Sequence, residues 1–70
     1  MSVNAELNVD GINSANRTSV EKSLTDLSGV ENVSIDQESN IVTVRYDKGK
    51  VNLIDIKQTL MGKGLSVIEV

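Results

Sequence analysis

Side chains that could bind a metal ion or catalyse a reaction are few in this chain of 70 residues, which contains no cysteine and no histidine. Thiolate and imidazole are the protein ligands that zinc and soft metal ions prefer, so a cysteine or histidine metal site is excluded. Ser-His-Asp and Cys-His arrangements are excluded for the same reason. At this size and with this inventory we expect neither an enzyme nor a bound cofactor.

The best candidate for chemistry is a polar run that precedes a predicted helix and contains Asn13, Ser14, Asn16, Arg17 and Thr18. Exposed N–H groups at a helix N-terminus attract anions, and the guanidinium of Arg17 would strengthen that attraction. The competing interpretation is purely structural. In it, Asn13 or Ser14 caps the helix, and Arg17 is solvated or pairs with Glu21 one turn further on.

Two other sets of residues resemble ligand-binding motifs, but their spacing favours structural roles. The run Gly62-Lys63-Gly64 lacks the spacing of a phosphate-binding loop and does not open a helix, so it predicts a helix C-cap and a turn. The carboxylates of Asp36, Glu38 and Asp47 lack the spacing and the closing glutamate of an EF-hand, which favours solvated turns.

Composition excludes further classes of function. The net charge is −3 and the isoelectric point is near 4.7, with no basic cluster and one aromatic residue, so we expect no nucleic-acid partner. No apolar run approaches the roughly 18 residues of a membrane span, and no hydrophobic signal segment leads the chain. We therefore expect a cytoplasmic protein without direct membrane insertion.

The periodicity of apolar residues predicts six elements. Alternation over residues 3–9 is typical of a half-buried strand, and β-branched residues indicate strands over residues 30–35, with an irregular entry, and 41–46. Helical spacing places Val20, Leu24 and Leu27 on one face of a first helix that begins near Asn13 or Ser14 and is stopped by Gly29. A second helix is expected to be capped by Asn52, ended by Gly62 and Gly64, and buried through Leu53, Ile56, Leu60 and Met61. The last strand is expected to contain Leu65, Val67, Ile68 and Val70.

This order, β-α-β-β-α-β, is that of the α+β ferredoxin-like fold. With right-handed crossovers, both helices cover one face of a four-stranded antiparallel sheet, and the other face is open to water or to a partner. Residues 1–70 leave no room for a second domain.

The run at residues 9–27, V-D-G-I-N-S-A-N-R-T-S-V-E-K-S-L-T-D-L, resembles the first loop and helix of the heavy-metal-associated domain of copper chaperones, which carries G-M-x-C-x-x-C there. Further similarities are to the V-E-K-A-L helix at residues 20–24, to the L-P-G-V junction at 27–30, and to the V-x-Y-D strand ending at 42–47. The resemblance runs from about Ala5 to Val70 and implies the same fold.

The resemblance also implies that the two thiolate positions hold Ser14 and Arg17. A hydroxyl is a poor ligand for Cu(I), and a guanidinium has no lone pair and repels a cation, so we expect no metal to bind at this loop. Ile12 stands where the family often has methionine, and Leu65 where tyrosine is common. In the family fold the loop around Lys63 approaches the metal loop, so Lys63 is expected near Ser14 and Arg17, forming a small positive patch.

Three hypotheses for function follow. The first is a non-catalytic interaction module that binds a related metal-binding domain or a metal-transport ATPase, or that self-associates. The second is a ferredoxin-like regulatory domain, of the ACT type, that senses a small anionic ligand. The third is residual metal binding in metal homeostasis, through oxygen ligands or the N-terminal amine.

Overall fold

The computed structural model describes residues 1–68 and contains four strands and two helices in the predicted order. They are β1 (Ser2–Asp10), α1 (Arg17–Thr25), β2 (Val30–Asp36), β3 (Ile41–Asp47), α2 (Leu53–Gly62) and β4 (Ser66–Ile68). The strands form one antiparallel sheet in the order β2-β3-β1-β4, with β1 and β3 at its centre. The ferredoxin-like plan is therefore confirmed.

The hydrophobic core lies between the sheet and the two helices. Inward-facing positions alternate along the strands, so that Leu7 and Val9 of β1 are buried beside Val42 and Val44 of β3. The side chains with almost no exposed surface come from the sheet and from both helices: Val9, Val20, Leu24, Val42, Val44, Ile56 and Leu60. Aliphatic packing is thus what holds this chain together, as its composition predicts.

Helix α1 is shorter at both ends than predicted. It begins at Arg17, with Asn16 as its N-cap residue, because residues 14–16 form a separate turn. It ends at Thr25, and the N–H of Leu27 donates to the carbonyl of Leu24, a tighter i→i+3 bond. The half-buried Leu27 therefore packs against the core from a turn and not from the helix.

Helix α2 begins as predicted and buries one face, but the predicted burial of Met61 is wrong. Asn52 and Asp55 form a capping box, in which the Asn52 side chain accepts from the Asp55 N–H at 2.9 Å. Ile56 and Leu60 are buried, whereas Met61 is 53% exposed. Met61 follows Leu60 by one residue, or about 100° around the helix, which turns its side chain away from the sheet.

The strand ends also have local causes. The irregular entry into β2 is confirmed by a register shift between Val30 and Asn32. In β4 only Val67 faces the core, because Ile68 pairs with Asn8 on the outer face and is 51% exposed. The predicted strand position Val70 lies outside the described residues. Among residues 1–68, no helix is long and apolar enough to cross a membrane.

The carboxylate of Asp47 predicts a loss of stability in acid. Its Oδ1 accepts a hydrogen bond from the Gly49 N–H at 2.9 Å and one from the Met1 ammonium at 3.0 Å, and these lower the pKa of Asp47 below 3.8. Since the pKa is lower in the folded state, this stabilisation is present above the ordinary pKa and is lost as the pH falls through the folded value.

Urea unfolding between pH 2 and 6 measures the effect. The wild type is expected to exceed Asp47→Asn in stability at pH 6, and the difference should shrink as the pH falls below the ordinary pKa. Glu21→Gln, at an exposed position of α1, controls for the loss of one negative charge. A difference between wild type and Asp47→Asn that does not change with pH would contradict the assignment.

Candidate functional site

The loop between β1 and α1 is closed by hydrogen bonds between two asparagines. Asn13 Oδ1 accepts from the N–H groups of Ala15 and Asn16 at 2.9 and 3.0 Å. In return, Asn16 Oδ1 accepts from the Asn13 N–H at 2.8 Å, and Asn16 Nδ2 donates to the Gly11 carbonyl at 2.9 Å. The chain's own side chains therefore hold this loop in shape.

Asn13 was expected to cap α1, but it caps the turn that precedes this helix. Its side chain caps the turn over residues 14–16, while its carbonyl accepts from the Arg17 N–H at 3.0 Å. Asn16 makes no side-chain bond to the N–H groups of α1, and the first turn of α1 contains no acidic residue. The positive end of the helix dipole is thus not balanced by a carboxylate of its own first turn.

The core anchors the loop from below. Ile12 is buried, as expected for the residue that plugs the core beneath the loop. Gly11 has φ +106°, and a Cβ there would lie 3.1 Å from Leu65 Cδ2. Only glycine adopts this backbone conformation without strain, so Gly11 allows the loop to lie directly against Leu65.

The guanidinium of Arg17 contacts the sheet. Its Nη2 donates to the carbonyl oxygen of Ile35, near the end of β2, at 3.2 Å. The interpretation in which Arg17 pairs with Glu21 is therefore not what the structure shows. The side chain remains exposed, so that its charge is available to a ligand or a partner.

Lys63 reaches the first turn of α1 from the end of α2. Its Nζ lies 3.2 Å from the hydroxyl of Ser19. Residues two apart on a helix do not share a face. Arg17 and Ser19, the residue that Lys63 contacts, therefore lie on different sides of the first turn of α1. A joint role of the two cations with Ser14 stays a prediction.

The other groups singled out in the sequence have structural roles. Asp36 Oδ1 accepts from the N–H groups of Glu38 and Ser39 at 3.2 and 3.4 Å, which makes a turn before β3. Lys63 is the C-cap residue of α2, and Gly64 follows with φ +81°. Within residues 1–68 no group of three histidine, cysteine or acidic side chains is placed to hold a metal ion.

Residues 6–65 match the sequence model of the heavy-metal-associated domain. The chain belongs to this family. Copper chaperone CopZ of Staphylococcus haemolyticus (strain JCSC1435) is 32% identical over 66 residues, which cover 93% of this chain and 97% of that protein. This member of the heavy-metal-associated family contains no cysteine.

Solved structures agree with this assignment. The CopZ metallochaperone matches with a TM-score of 0.90 and 28% identity, covering 94% of this chain and 100% of that one. A copper binding domain from HMA7, a P-type ATPase, matches with a TM-score of 0.84 and 26% identity, covering 99% and 96%. The fold of a copper chaperone or ATPase domain is therefore present in a chain that contains no cysteine.

Three contacts of the site were not predicted from the sequence, and one of them is the hydrogen bond from Arg17 to the Ile35 carbonyl. The reciprocal bonding of Asn13 and Asn16 has a local signal, because asparagines readily bond backbone groups two or three residues away. The contact of Lys63 with Ser19 spans 44 residues and has no local signal at all.

Proposed function

We propose that residues 1–70 form one non-catalytic interaction module that docks in the cytoplasm onto a related heavy-metal-associated domain, such as that of a metal-transport ATPase, without carrying a metal ion. The docking surface is the loop face, which we define as Asn13, Ser14, Asn16, Arg17 and Lys63. The whole loop face except the half-buried Asn16 is exposed.

The observation that carries the proposal is the bonding between Asn13 and Asn16. In a metal-binding loop the ion itself can join the two ends of the loop, because each thiolate holds it from one side. Here two asparagine side chains join the ends through four hydrogen bonds, each to a backbone group of residues 11–16. A docking surface that is held in shape in this way is ordered without a bound ion.

The donor set at the loop does not fit a soft cation. Ser14 offers a neutral hydroxyl, and Arg17 offers a permanent positive charge that would repel the ion. Cu(I) requires soft, deprotonated sulfur, which this chain lacks. The proposed function therefore excludes transfer of copper by the loop and keeps only the protein contact.

The charge of the loop face indicates the chemistry of the partner's surface. Arg17 and Lys63 present two cations at the first turn of α1, and that turn has no acidic residue to offset them. Opposite charges across an interface speed association and fix orientation. The partner should therefore present carboxylates where it meets the first turn of α1.

An NMR titration tests this docking. The metal-free CopZ metallochaperone and the metal-free copper binding domain of HMA7 serve as probes, added to isotope-labelled protein. We expect shifts confined to the loop face, with affinity weakened about tenfold in the double variant Arg17→Ala/Lys63→Ala. Lys22→Ala, in the last turn of α1, is the matched control and should change affinity less than about twofold.

Different outcomes separate the hypotheses. No shift with either probe would contradict docking to a related domain. Equal shifts of the first turn of α1 with sodium acetate alone would favour the sensing of a small anion. Concentration-dependent sedimentation of the protein by itself would instead favour self-association.

A further inference from the structure

The face of the sheet that the helices do not cover is divided by its charges into two different ends. At one end the acidic groups are paired. Glu31 Oε1 lies 3.3 Å from Arg45 Nε, and Glu31 Oε2 also accepts a hydrogen bond from the hydroxyl of Ser2. Asp47 is bonded to the Met1 ammonium at 3.0 Å. These pairs neutralise that end of the sheet.

The opposite end of the same face combines apolar side chains with acidic groups. Strand register places one row across all four strands, formed by Asp36, Ile41, Asn8 and Ile68. Directly opposite residues of antiparallel strands lie on the same face, and Ile68 is 51% exposed there. This row therefore brings two isoleucines onto the open face.

Three carboxylates lie in the row or beside it. Asp36 lies within it, and Glu6 and Asp10 lie two residues to either side of Asn8 on β1, so their side chains share its face. All three are exposed. Within the part of the chain that the structure describes, none of the three forms an ion pair.

We propose that these six residues, Glu6, Asn8, Asp10, Asp36, Ile41 and Ile68, form a second docking surface, the acidic-apolar patch, and that its occupant is a cationic segment of a partner protein. The segment carries lysine or arginine side chains around aliphatic ones. The aliphatic side chains cover Ile41 and Ile68, and the cations meet the surrounding carboxylates.

Charge decides between this occupant and others. A symmetric contact between two copies of the patch would bring three carboxylates against three, and like charges across an interface oppose association. An anionic lipid surface or a nucleic acid would be repelled by the same carboxylates. A purely cationic segment without aliphatic side chains would leave the isoleucines exposed and gain only a screened surface attraction.

The patch is separate from the proposed docking by the loop face. Its residues lie on the open face of the sheet, whereas Arg17 belongs to the first turn of α1 and Lys63 contacts that turn at Ser19. The loop face is positively charged and the patch is negatively charged, so the loop face selects an acidic partner and the patch a cationic one. The failure of either proposal leaves the other standing, because NMR shifts report which set of residues is contacted.

A synthetic peptide tests the proposal, acetyl-(Leu-Lys-Lys-Leu)3-amide, added to isotope-labelled full chain. We expect shifts at the patch on all four strands, and an affinity that falls as salt rises from about 20 to 300 mM. The triple variant Glu6→Gln/Asp10→Asn/Asp36→Asn should weaken binding about tenfold. Asparagine at position 36 can still accept the two N–H bonds of the turn, so the fold is expected to persist.

Controls isolate the two components of the patch. Glu21→Gln/Asp26→Asn removes two exposed charges from the helical side and should change affinity less than about twofold. Ile68→Ser should weaken binding of the leucine peptide but not of a peptide with serine in place of leucine. Shifts confined to α1, equal loss in the control variant, or self-association of the free protein through the patch would each overturn the proposal.

Discussion

Replacing Ser14 and Arg17 by cysteine is expected to create a Cu(I) site, whereas the wild type is expected to bind no Cu(I) at this loop. Ser14 is the first residue of the turn over residues 14–16 and Arg17 follows that turn, and residues three apart at the start of a helix are neighbours. A thiol at position 17 would stand at the N-terminus of α1, where the helix dipole lowers a thiol pKa and favours thiolate. Two such thiolates supply the soft ligands that Cu(I) requires.

Competition with bathocuproine under reducing, anaerobic conditions measures this gain. We expect the double variant to bind one Cu(I) and each single cysteine variant to bind more than about 100-fold more weakly. Ser19→Cys/Ser34→Cys is the matched control, since Ser19 lies on α1 and Ser34 on the open face of the sheet. Equal retention of Cu(I) by wild type and the Ser14→Cys/Arg17→Cys variant would show that the argument from the donor set is wrong.

Elements with a strong local pattern were predictable from the sequence. The alternation along β1 indicated a half-buried strand, and β-branched residues indicated β3. The capping box of Asn52 and Asp55 follows from residue types three positions apart. These patterns act within a few residues, and a single sequence contains all the information they need. The order of elements then left few topologies to consider.

The predictions for Met61 and Leu27 were wrong because the packing of neighbouring elements decides whether such residues are buried or helical. Met61 is apolar and adjacent to Leu60, but the direction of α2 relative to the sheet turns it outward. Leu27 has helical spacing from Leu24, yet the chain leaves α1 at Thr25. An apolar residue at the margin of a helical face is ambiguous by periodicity alone, because burial there depends on the angle at which the helix packs.

The candidate site was predictable in composition but not in its contacts. The resemblance to the family picked out Ser14 and Arg17 without knowledge of the structure. It did not reveal that Arg17 donates to the Ile35 carbonyl, which lies 18 residues away in the chain. Contacts between distant segments follow from tertiary packing, and the chemistry of one residue type does not select among many possible acceptors.

Truncating Ile56 is expected to remove most of the stability of this protein. The Ile56 side chain has no exposed surface and packs in the core with Leu24 and Leu60. Replacement of a buried isoleucine by alanine costs about 2–5 kcal/mol, since apolar burial is lost and a cavity remains. A domain of this size has a total stability of only about 3–5 kcal/mol. Ile56→Ala should therefore be largely unfolded at 37 °C.

Ile54 provides a matched control on the same helix. It stands two residues before Ile56 but is 63% exposed, so Ile54→Ala should change the free energy of unfolding by less than about 0.5 kcal/mol. Urea unfolding followed by circular dichroism compares the two, and Ile56→Val, expected to cost about 0.5–1.5 kcal/mol, keeps the effect measurable if the alanine variant does not fold. Equal losses at positions 54 and 56 would contradict the packing of α2, because only the inward side chain can leave a cavity.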